Sequence, residues 1–128
     1  MTSRDYYRSL LQLVMTSTVI TGHWLQFDEQ DAYAAYVKGS LDLIDGSKLF
    51  FAQYVRIEGP GRDQVSREKY RYHWQTPGEE TRYRWDNARH HPELTTFPDH
   101  VHIGPDEAAR ENRPTDLWRV VGQIEQEI

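Results

Sequence analysis

The chain contains no cysteine, which excludes a disulfide framework, a thiol nucleophile and a thiolate-ligated zinc. It also lacks a long hydrophobic run. The longest mostly apolar stretch, Leu10–Ile20, is interrupted by Gln12, Thr16, Ser17 and Thr18, whereas a membrane-crossing helix needs about 20 apolar residues. No basic segment leading into an apolar core opens the chain, so no secretory signal is expected and the cytoplasm is the expected location. Hydrophobic residues make up only 38% of the sequence, and mean hydropathy is −0.82. Rings compensate: there are 4 Trp, 8 Tyr and 4 Phe, each able to bury roughly 150–250 Å². The 128 residues are therefore expected to form one cored domain, 1–128, rather than a disordered chain.

Positive charge is in deficit as well. The net charge of −5 argues against a protein that binds nucleic acid over its whole surface. Between Arg62 and His91, however, seven basic side chains face five acidic ones, so this segment is locally positive. That asymmetry predicts one basic face on an acidic body.

The residue periodicities predict an α+β fold. Tyr7, Leu10, Leu11 and Val14 recur at helical spacing over Ser3–Val14, with Ser3 as the cap. Val19, Thr21, His23, Leu25 and Phe27 then alternate as a strand, expected to end at the acidic patch Asp28–Asp31. Tyr33–Ile44 and Lys48–Ile57 flank Asp45-Gly46, a tight-turn dipeptide, and predict a hairpin in which Gly39 marks a bulge. A second hairpin pairs Ser66–Gln75 with Glu80–Asp86 across Thr76-Pro77-Gly78-Glu79. In it Tyr70, Tyr72, Trp74, Tyr83 and Trp85 share one face, while Arg67, Lys69, Arg71, His73, Arg82 and Arg84 share the other as a basic ribbon. Regularity then stops until about Val101, and Pro114-Thr115 opens a last helix carrying Leu117, Val120, Val121 and Ile124. The expected architecture is a twisted antiparallel sheet of about five strands, with an N-terminal and a C-terminal helix packed on one face.

The densest chemistry lies in the irregular stretch, with His90-His91-Pro92-Glu93 followed by Asp99-His100-Val101-His102. Three readings suit it. Histidines can supply the base and the acid of phosphodiester cleavage, with arginines on the phosphates. His100 and His102, two apart on a strand, can instead bind a metal with His90, His91 or Glu93. Or the histidines simply bond to backbone and hold the loop together.

The run Tyr83-Arg84-Trp85-Asp86-Asn87-Ala88-Arg89-His90-His91-Pro92-Glu93-Leu94-Thr95-Thr96-Phe97-Pro98-Asp99-His100-Val101-His102 resembles the signature of the TumE-like toxins of bacterial and archaeal toxin–antitoxin modules. It has the aromatic-Asp-Asn run, the His-His-Pro-Glu step, the Thr-Phe-Pro step and the closing His-x-His. Pro114-Thr115-Asp116-Leu117 is similar to the family's C-terminal end. The resemblance covers residues 66–128 well, and 1–65 only as a hairpin-rich half. It implies a toxin with an antitoxin protein as partner. Together with the residues, it leads to the expectation of a metal-independent endoribonuclease acting on RNA without a cofactor. His91, His100 and His102 are its expected catalytic residues, and Arg67, Lys69, Arg71, Arg82, Arg84 and Arg89 its expected contacts to substrate phosphates. The rival expectations are a non-catalytic protein-binding module and a metal-dependent hydrolase using the same histidines.

Overall fold

In the computed structural model, which describes residues 1–128, Thr2 caps α1 (Ser3–Thr16). Its hydroxyl accepts from the Asp5 amide while the Asp5 carboxylate accepts from the Thr2 amide, so two otherwise orphan donors are satisfied reciprocally. Ser3, the expected cap, is the first helical residue instead; it is buried, and its hydroxyl donates to the Asp31 carbonyl at 3.1 Å. Helical spacing places Tyr6, Leu10 and Val14 on the buried stripe.

Seven strands follow, two more than expected: β1 (Ile20–Asp31), β2 (Ala34–Leu43), β3 (Lys48–Glu58), β4 (Gln64–Gln75), β5 (Thr81–Asp86), β6 (His100–Ile103) and β7 (Ala108–Glu111). They form one antiparallel sheet in chain order. β1 ends in the acidic patch as expected, at its last residue Asp31. Gly39 is no bulge. It sits in regular register between Leu25 and Phe51, where a Cβ would crowd the Trp24 carbonyl and the Leu25 side chain. The chain closes with α2 (Leu117–Glu127), capped by Asp116, whose carboxylate accepts from the Arg119 amide at 2.8 Å.

Both helices cover the same face of the sheet. There Leu41, Leu49, Tyr72, Trp74 and Trp85 meet Leu10 of α1 and Leu117, Val120 and Ile124 of α2. The side-chain polar atoms of Tyr6, Gln53, Tyr72 and Trp74 at its centre are paired. Gln53 donates to the Tyr6 hydroxyl at 2.8 Å and accepts from the Tyr72 hydroxyl at 2.7 Å, while the Trp74 indole donates to Ser47 at 2.9 Å. Burial raises the Tyr72 hydroxyl well above its ordinary value of 10, which keeps it a donor. The opposite, outer face carries no helix and leaves Trp24, Tyr36 and Phe50 exposed.

Candidate functional site

Strand parity places a cross-strand row Lys38, Ala52, Arg71, Asp86 and His100 on the outer face. The neighbouring row runs Ser40, Phe50, His73, Arg84 and His102. Two bulges break the expected basic ribbon. Tyr54 opposes Lys69 but Val55 opposes Arg67, so Glu68 is an extra residue and everything before it changes face. Arg67 consequently points to the helix side, its guanidinium 5.7 Å from the centre of the Tyr6 ring. In the same way Trp74 opposes Tyr83 and Gln75 opposes Thr81, which makes Arg82 the extra residue. Arg82 lies 4.9 Å from the centre of the Trp74 ring and binds Asp45 at 3.0 Å. Arg67 and Arg82 therefore leave the ribbon. Lys69 and Arg71 stay on the outer face, Arg84 stands beside Asp86, and Arg89 lies over Phe97 in the β5–β6 loop.

The same loop carries His91 over the outer face, onto the two histidines of β6. The three rings pack edge to face, with centroids 5.0 Å apart for His91 and His100, 5.5 Å for His91 and His102, and 4.9 Å for His100 and His102. His100 and His102 are buried and His91 is half-buried. His90 is exposed and takes no part.

Each ring is oriented through Nδ1. His100 Nδ1 donates to the Pro98 carbonyl at 2.8 Å, and His102 Nδ1 to the Glu107 carbonyl at 2.7 Å; a carbonyl only accepts, so these nitrogens carry the protons. His91 Nδ1 faces the Glu93 carboxylate at 3.3 Å. The Nε2 atoms differ. His100 Nε2 lies 2.9 Å from Asp86 Oδ1, whereas His102 Nε2 is 4.0 Å from Asp86 Oδ2. His100 thus has both nitrogens against acceptors, while His91 and His102 each retain one uncommitted. Arg84 flanks the group, 3.6 Å from Asp86 and 3.2 Å from Glu107.

One nitrogen from each histidine lies within 4.8 Å of the other two, so His91, His100 and His102 can also hold a metal ion. Nδ1 bonds of this kind are the outer support that metal-binding histidines use. Asp86 was absent from the expected site, although its parity with Arg84 and its place in the Asp86-Asn87 step carried the signal. Asn87 was missed too. Its side chain accepts from the Tyr70 amide and donates to the Glu68 carbonyl, both at 3.0 Å, replacing the ladder where β5 has ended.

The family model described as Toxin TumE matches residues 10–128. The chain belongs to the TumE toxin family. No curated protein and no solved structure matches it. Membership extends the resemblance across the N-terminal half and makes the chain a toxin of a toxin–antitoxin system, with an antitoxin as its partner. No helix is long and apolar enough to cross a membrane.

Proposed function

We propose that this TumE toxin cleaves RNA at the histidine cluster, with His91 and His102 transferring the protons and His100 a positioning residue. The observation that carries this reading is that His91 and His102 each set Nδ1 against an acceptor and make no hydrogen bond at the other nitrogen. In the reaction, one of these nitrogens removes the proton of a ribose 2′-hydroxyl. The O2′–phosphorus bond forms, the phosphorus–O5′ bond breaks, and the second ring protonates O5′. Arg84 offsets charge that grows on the phosphoryl oxygens. His100 locks Asp86 and so sets the position of its neighbours.

A second reading uses the same side chains to bind a divalent ion that activates water; it is favoured by the approach of three histidine nitrogens to within 4.8 Å beside Asp86. Incubation of purified toxin with labelled RNA, with and without chelator, separates the two. Metal-free cleavage predicts a rate unchanged by chelator and lowered about 10²–10⁴-fold in His91→Ala. Activity lost to chelator and restored by one divalent ion would move the histidines to the metal reading. Full activity in His91→Ala would end both.

A further inference from the structure

Beside the histidine cluster, over β2–β4, the outer face holds a cleft of about 590 Å³, within the range of roughly 300–1,000 Å³ usual for ligand sites. Ala52 forms its floor, being the one small side chain in the row between Lys38 and Arg71. Tyr36 and Tyr54 stand along one side with ring centroids 4.6 Å apart, and Tyr36 is 51% exposed. Lys69, Arg71 and Arg89 also line the cleft. None of the three makes an ion pair, while nearby Glu68 is neutralised by Arg56 at 2.8 Å. Asp86 belongs to both the cleft and the histidine cluster. From Arg71 to His100 is two strand spacings, or about 10 Å.

We propose that this cleft binds unpaired RNA, with bases stacking on Tyr54 and Tyr36 and phosphates on Lys69, Arg71 and Arg89, and that it feeds the strand to the histidines. The inference rests on the RNA-cleavage reading and adds the substrate's form. Aromatic faces beside unpaired cations are what single strands need, because their bases are free to stack, whereas a duplex keeps its bases stacked internally and offers mainly phosphate and shape. Three unneutralised cations on a chain of net charge −5 select a polyanion for this face over the rest of the surface.

The test is fluorescence anisotropy with a labelled oligoribonucleotide of about ten residues, single-stranded or annealed to its complement. It uses full-length His91→Ala protein so that the probe is not cut. Unpaired RNA is expected to bind more tightly than the duplex. Adding Tyr54→Ala should weaken binding about ten-fold, and adding Arg71→Gln should lower the slope of log affinity against log salt by about 0.7. Tyr36→Ala, at an exposed position, provides a second stacking variant should Tyr54→Ala unfold. The proposal is overturned if these variants bind like their parent, if duplex binds equally well, or if no RNA binds. It is also overturned if the tyrosine variants lose only the co-expressed antitoxin, which would make the cleft a protein-docking site. Binding that depends on Tyr54, with no cleavage by the wild type, would sink the cleavage reading and leave this one standing. Cleavage with binding indifferent to both tyrosines would do the reverse.

Discussion

Which nitrogen of a histidine is already committed decides what the ring can still do. His100, with a carbonyl on one side and Asp86 on the other, is a support. His91 and His102 are the rings with capacity left. His73, next to Arg84 and two strands from His102 in the same row, is in a third situation. Its Nε2 meets the Thr81 hydroxyl at 2.7 Å, and burial, then Arg71 and Arg84, push it below its ordinary value of 6.5, with Glu107 opposing. A neutral imidazole therefore suits the folded state better than the unfolded one. Its contribution to stability is complete above about pH 6.5 and is lost as the pH falls below that, because the unfolded chain takes up the proton first. Urea unfolding between pH 8 and 5 should show a steeper loss for the wild type than for His73→Gln, in which the side-chain amide retains a partner for Thr81. Parallel curves would remove His73 from the acid response.

At the scale of elements, the β6–β7 turn positions the Glu107 carbonyl that orients His102. Gly104 at its start lies so close to β5 that a Cβ would collide with the Thr81 carbonyl, and its amide donates to the Arg82 carbonyl at 2.9 Å. Gly104→Ala should therefore cost about 1–3 kcal/mol, the usual penalty of overpacking, and should lower activity by displacing His102. An unchanged melting temperature would show that the turn yields freely. The two long hairpins were legible because Asp45-Gly46 and Thr76–Glu79 punctuate strong alternation. β6 and β7 were not, since four residues each carry too little period to stand out among prolines. The bulges at Glu68 and Arg82 were invisible for a related reason: an alternating pattern reads straight through an extra residue, and only pairing with a partner strand reveals the change of face. The histidine cluster was legible as a concentration of residues in one motif. That His100 differs from His91 and His102 depends on the approach of its Nε2 to Asp86 Oδ1, 2.9 Å against 4.0 Å for His102 and Oδ2, and no spacing records those distances.

For the whole molecule, two helices on one face leave the other face of the sheet open. That face joins Tyr36, Tyr54, Lys69 and Arg71 to Asp86 and the histidines. A toxin acting through this surface should arrest growth when expressed alone and be silenced by its antitoxin. His91→Ala should abolish arrest with stability within about 1 kcal/mol of wild type, since the ring is only half-buried and its partner Glu93 is exposed. Trp85→Ala should also abolish arrest but by another route, costing about 3–5 kcal/mol through loss of a ring that is 3% exposed in the core. Growth curves paired with melting temperatures separate the two, because a chemical defect leaves the folded fraction intact and a packing defect does not. Arrest by His91→Ala at wild-type strength would mean that this chain poisons its host by occupying a target, and that the histidine cluster only holds the loop in place.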